Sequence, residues 1–160
     1  LELYKEYLGE EHSQALPGSA LLFPINILSI DGRNHLVRTV LAVDEASQSM
    51  TFAGDIPQGC KVKLMRANMD KLIDGAEDAG YSILSAVSEN ISDSLSIFVS
   101  CVGRRLVLKQ LADEELEAAK GSSTGKSTGF YSYGELCPQS LFAPCELHNQ
   151  TMTVTNISEK

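Results

Sequence analysis

The sequence predicts an α+β fold: an antiparallel β-sheet, made of a meander plus closing strands, with helices packed on one face. Three observations predict it. Residues 21–65 hold four short apolar or alternating segments divided by turn chemistry. Residues 68–83 repeat apolar side chains at helical spacing. Nowhere does strand alternate regularly with helix, as a doubly wound parallel sheet would require. A chain of 160 residues, 43% hydrophobic and 21% charged, is sized for one core and composed like an average globular protein. A single domain over 1–160 is expected.

The opening LELYKEYLGEEH reads as the body of a helix, with no initiator Met and no basic-then-apolar leader, so a fragment of a longer polypeptide is expected. Leu21 to Ile30 is apolar enough for a strand, and Asp31-Gly32-Arg33-Asn34 turns it into the alternating run Leu36 to Val43. Asp44 to Ser47 turns again before Met50 to Ala53, and Gly54 to Gly59 turns before Val62 to Met65. Asn68 is placed to cap a helix whose apolar face is Leu72, Ala76, Ala79 and Ile83, with Asp70 favourably in its first turn. Ser94 to Ser100 reads as a buried strand. Val102, Leu106, Leu111 and the run Asp113 to Leu116 predict helix to about Lys120. GSSTGKST (121–128) reads as a flexible polar loop. Phe130 to Leu136 and Leu147 to Ile157 are the closing strands, separated by a proline-containing excursion over 137–146.

Several function classes are excluded at this level. A net charge of −8 and no cluster of Lys or Arg argue against nucleic acid, which is held by neutralising phosphates. The longest apolar run is broken by Pro24 and Asn26 and falls short of the ~20 residues a bilayer demands. Cys60, Cys101, Cys137 and Cys145 lack CxxC spacing, so reduced thiols and a cytoplasmic location are expected, and the sequons at Asn90, Asn149 and Asn156 carry no weight. Gly121 and Gly125 are one residue too close for a phosphate loop, and they follow helix rather than strand. Cys137, Cys145 and His148 lack the knuckle of a structural zinc site, so no metal is expected. Cys101 sits where a nucleophile could, near Arg104 and Arg105, but a buried structural thiol is the simpler reading. With no nucleophile–base pair, no catalytic residue and no enzyme is expected.

The candidate residues are instead those of a binding site. Arg104 and Arg105, after Gly103 at the end of an apolar strand, have the guanidinium geometry that clamps a carboxylate. Alternatively, one is solvated and the other pairs with Asp113, Glu114 or Glu115. In GFYSYGEL (129–136), alternation puts Tyr131, Tyr133 and Glu135 on one face, either lining a pocket or facing solvent. In LHNQTMTV (147–154), His148 and Gln150 share one face and Asn149 the other, a dense run of hydrogen-bonding groups.

These two segments, together with LYKEYLGEE (3–11), LLFPINI (21–27), VRTVLAVDE (37–45), FAGDIPQGCKVKLMRAN (52–68) and SCVGRRLVL (100–108), resemble the C-terminal half of the FIST domain, named for F-box and intracellular signal transduction proteins. The resemblance runs over nearly the whole chain and is poorest at 109–128. It implies an intracellular sensory module that binds a small molecule such as an amino acid or related carboxylate, with no cofactor. Its partners would be an N-terminal FIST half and a signalling output domain or protein. Some relatives are haem proteins that sense nitric oxide, which would make His148 the candidate axial ligand; a ligand-free protein–protein interaction module is the other alternative. The expected ligand-binding set is Arg104, Arg105, Tyr131, Tyr133, Glu135, His148, Asn149 and Gln150.

Overall fold

A computed structural model of the chain describes residues 1–28, 35–86, 94–121, 125–138 and 143–158. The α+β class holds, and the chain divides into two compact units: residues 1–67 with 136–150, and residues 68–135 with 151–160. The predicted turn at 31–34 and the sequon at Asn90 lie outside the described residues.

In the first unit, α1 (Glu2–Gln14) is interrupted at Gly9, whose φ of +76° an L side chain rarely adopts. Tyr4 and Leu8, one turn apart, face inward and join Ala20, Phe23 and Val40 in the core. The Tyr4 hydroxyl donates to the Phe23 carbonyl at 2.8 Å, satisfying a polar group that burial would otherwise leave stranded. The Lys5 ammonium pairs with Glu45. β1 (Ile25–Leu28) forms the expected hairpin with β2 (His35–Arg38), and β3 (Val40–Asp44) forms another with β4 (Ser49–Phe52). The expected continuous meander is corrected at β5 (Lys61–Leu64). It pairs antiparallel with β1 instead of β4, giving the order β2-β1-β5 beside the separate β3-β4 ribbon. Burial explains this: β1 is covered along Ile25 to Ile27 and takes partners on both edges, whereas β3 and β4 are mostly exposed. Here too the buried Arg38 guanidinium donates to the carbonyls of Asp55, Val37 and Leu147, tying β2 to β9 (Cys145–His148), which pairs with β8 (Glu135–Pro138).

In the second unit, α2 (Met69–Ala86) is capped as the sequence predicts: Asn68 Oδ1 accepts from the Lys71 amide at 3.0 Å. Its face carries the buried Ala76 against Phe98, Ala119 and Met152. β6 (Ser94–Cys101) is the central strand, flanked antiparallel by β10 (Met152–Ser158) and parallel by β7 (Lys126–Ser132). A parallel neighbour needs a long crossover. Here α3 (Val102–Leu108), a single turn at Lys109–Leu111 and α4 (Ala112–Lys120) supply it. This local strand–helix–strand unit departs from the purely antiparallel sheet expected. α4 lies on α2 with so little clearance that a Cβ on Gly80 would sit 2.0 Å from the Ala119 carbonyl oxygen. The polar loop expected over 121–128 is shorter than that, because Lys126, Ser127 and Thr128 already belong to β7.

Candidate functional site

The eight expected residues fall into both units. Arg104, Arg105, Tyr131, Tyr133 and Glu135 belong to the second, and His148, Asn149 and Gln150 to the first.

Arg104 is inside. Its Nε donates to Glu115 Oε1 at 2.5 Å and its Nη2 to the Leu72 carbonyl at 2.6 Å, while Ser100 Oγ donates to Glu115 Oε2 at 3.1 Å. Glu115 is 0% exposed, so this guanidinium neutralises a carboxylate of its own unit. Arg105, one residue on, is exposed and lies over the Tyr131 ring, its guanidinium carbon 4.8 Å from the ring centre. Burial, with the Glu115 carboxylate adding to it and Arg105 partly opposing, pushes the Tyr131 phenol above its ordinary pKa.

The predicted shared face of Tyr131, Tyr133 and Glu135 ends at Ser132, where β7 stops and a bend at Tyr133-Gly134 intervenes. Tyr133 is 88% exposed, whereas Glu135 is 1% exposed and accepts hydrogen bonds from Ser132 Oγ (2.6 Å) and Thr151 Oγ1 (2.8 Å). The predicted strand over 147–157 is likewise two strands. Gln150 takes φ +54°, and the backbone bends between β9 and β10. As a result His148, Asn149 and Gln150 are all buried. Asn149 Nδ2 donates to the His148 carbonyl at 3.0 Å, and Gln150 Nε2 to the Leu21 carbonyl at 3.2 Å.

A cleft of about 290 Å³ does open in the second unit, between α4 and the β6–β7 pair. One wall is Leu116, Glu117 and Lys120, three side chains on one face of α4. The other is Ser127, Thr128, Phe130 and Tyr131, with Phe98 and Ser100 behind. Gly129, between Ser127 and Tyr131 on the strand, lines the cleft as well. A Cβ there would lie 2.3 Å from the Phe98 carbonyl oxygen. Among the described residues Lys120 and Glu117 engage no ion pair, so both a cation and an anion are offered beside two hydroxyls. Of the expected set, Tyr131 lines this cleft and Arg105 stacks on it. Glu117, Lys120, Ser127 and Thr128 were missed, and the signal for them was the spacing 116, 117, 120 on a helix next to an alternating strand.

The first unit has a larger, more apolar cleft of about 590 Å³, lined by residues including Tyr4, Tyr7, Ile25, Met50, Val62 and Leu64. Neither cleft is lined by a histidine. His148 is buried, and its Nε2 lies 3.1 Å from the Cys137 carbonyl oxygen. Among the described residues no three His, Cys, Asp or Glu side chains are grouped to hold a metal ion, and no helix is long and apolar enough to cross a membrane.

Fold and site together define an α+β domain with a small, mixed-charge cleft beside a strand–helix–strand unit. Comparison with family models matches residues 1–138 to the FIST C domain. The chain belongs to the FIST C domain family, whose members are associated with signal transduction. Neither comparison with curated proteins nor comparison with solved structures returned a match.

Proposed function

We propose that this chain is a cytoplasmic sensory domain, not an enzyme, that binds an amino acid or related carboxylate in the α4–β7 cleft and passes its occupancy to a signalling partner. The observation that carries the reading is the cleft's lining: a cation (Lys120) and an anion (Glu117) with no ion-pair partner among the described residues, and the hydroxyls of Ser127 and Thr128, meet apolar walls from Leu116 and Phe98. An amino acid has the complementary groups. Its carboxylate suits Lys120, with Arg105 within reach over Tyr131; its ammonium suits Glu117; its side chain suits the apolar walls. The volume, near the lower end of the roughly 300–1,000 Å³ typical of ligand sites, favours a small ligand. Arg104 takes a supporting part, neutralising Glu115 beneath Ser100 and holding the back of the cleft in place.

Coupling follows from packing. α4 forms one wall and touches α2 through the Gly80–Ala119 contact, so a shift of α4 on binding is transmitted to α2 without slack.

Calorimetry with the proteinogenic amino acids and small mono- and dicarboxylates tests the reading. Binding by at least one of them is expected, weakened roughly tenfold or more by Lys120→Ala or Glu117→Gln, since hydrogen bonds to charged groups contribute about 1.5–3 kcal/mol each. Binding indifferent to both substitutions would remove the cleft as the site, and no binding across the series would remove the ligand class.

A further inference from the structure

β5 is an edge strand of the β2-β1-β5 sheet, and its sequence, Lys61-Val62-Lys63-Leu64, alternates charge with hydrocarbon. The register with β1 decides what the free edge presents. The Met65 amide donates to the Pro24 carbonyl at 2.9 Å, so the pairs that exchange ladder bonds with β1 are those at Met65, Lys63 and Lys61. The amides and carbonyls of Val62 and Leu64 therefore point away from β1, along the open edge. Their side chains line the apolar cleft with Tyr4, Tyr7, Ile25 and Met50, and Val62 is 49% exposed. Lys61 and Lys63 project from the opposite face. Among the described residues they make no ion pair, and their neighbours on β1, Leu28 and Asn26, are uncharged.

We propose that β5 is a docking edge for an extended segment of a partner protein in which apolar residues alternate with acidic ones. Such a segment pairs its backbone with Val62 and Leu64. Its apolar side chains enter the cleft and its carboxylates lie beside Lys61 and Lys63, because directly opposed residues share a face of the sheet. The same lysines reject the simplest competitor, a second copy of this chain. Antiparallel β5–β5 pairing centred on Val62 sets Lys61 against Lys63, and pairing centred on Lys63 sets that lysine against itself, both like-charge contacts. In these two registers the lysines guard the edge against itself, and toward an acidic strand they give specificity. The amino-acid cleft lies in the other unit, so this inference stands apart from the reading above.

The test uses the full chain and two capped octapeptides, one alternating Val with Glu and one alternating Val with Lys. Binding is read by fluorescence anisotropy and by amide hydrogen exchange. The Val-Glu peptide is expected to bind, to slow exchange at Val62 and Leu64 selectively, and to lose affinity with added salt; the Val-Lys peptide is expected not to bind. Lys61→Glu with Lys63→Glu should weaken the first peptide and admit the second, each by about tenfold. Val62→Pro removes an amide that β1 does not use, so the fold is retained while binding falls about tenfold. Equal binding of both peptides, protection confined to other amides, or a chain that dimerises through this edge would overturn the proposal. So would binding unchanged in the folded Val62→Pro variant.

Discussion

Replacing Glu115 with glutamine should cost the second unit more than any surface change, and the structure sets the scale. Glu115 is 0% exposed, and its two oxygens accept from the Arg104 guanidinium and the Ser100 hydroxyl. The amide side chain keeps the volume but leaves the buried guanidinium without its anion. Removing one member of such a pair costs roughly 3–5 kcal/mol, because the partner charge stays desolvated and unanswered. Domains have only about 5–15 kcal/mol in total. For a chain of this length, roughly 2–4 °C per kcal/mol gives a fall in Tm of about 6–20 °C. Arg104→Met strands the carboxylate instead and should cost a similar amount. The double variant Arg104→Met/Glu115→Leu removes both charges and should be more stable than either single one, a coupling measurable by urea denaturation followed by far-UV circular dichroism. Were Glu115→Gln to fall within about 1 kcal/mol of the parent, or the double variant to lose the sum of the two, the buried-pair argument would be refuted.

Other consequences follow from single groups. Burial pushes the Tyr4 phenol up to about 12 from its ordinary 10, so its contribution is intact below pH 10 and is lost as pH rises through 12; Tyr4→Phe should flatten that alkaline limb of the stability curve, which is of order 2 kcal/mol deep. Hydrogen bonds from the Ser47 hydroxyl and then from the Ser47 and Ala46 amides hold the Asp44 carboxyl below its usual range. Its contribution is therefore present above the ordinary carboxyl pKa and is lost as pH falls through the depressed one, and Asp44→Asn should make acid unfolding shallower. Gly80→Ala drives a methyl to 2.0 Å from the Ala119 carbonyl oxygen and should destabilise by about 1–3 kcal/mol or more in thermal unfolding. Arg38→Met leaves the carbonyls of Asp55, Val37 and Leu147 without their common donor, and faster amide exchange across β9 is expected.

Local signals were legible where local chemistry decides. Asn68 caps α2 because its side chain answers a first-turn amide, and β1–β2 and β3–β4 pair antiparallel as expected, the second pair across the polar turn at 45–48. What the sequence did not disclose is which edges pair at a distance. β5 reaches back to β1 across the β3–β4 ribbon, and β7 lies parallel to β6 after a helical crossover. Alternation is silent on neighbour order, since the same pattern suits either edge of either sheet. Alternation also misled where strands end early. Tyr133 and Gln150 stand at bends, so the faces drawn through Glu135 and through His148-Asn149-Gln150 do not exist as continuous surfaces.

The arginine pair shows why the site was harder to read than the fold. Two adjacent guanidiniums carry the same sequence signal, but their directions on α3 differ by about 100°. One therefore points into the unit, onto Glu115, and the other outward over Tyr131. Glu115 is itself one of three consecutive acidic residues, and only burial separates it from Asp113 and Glu114. The cleft residues were hidden for a related reason: Glu117 and Lys120, a helical turn apart, look like a solvated face, and Ser127 and Thr128 look like linker. The glycine between them was the available clue. Once β7 begins at Lys126, alternation puts Ser127, Gly129 and Tyr131 on one face, and a glycine inside a strand marks a place where something must approach closely. At Gly129 the close approach is the Phe98 carbonyl. Gly129 and Lys120 also line the same cleft, the space in which we propose that a ligand sits.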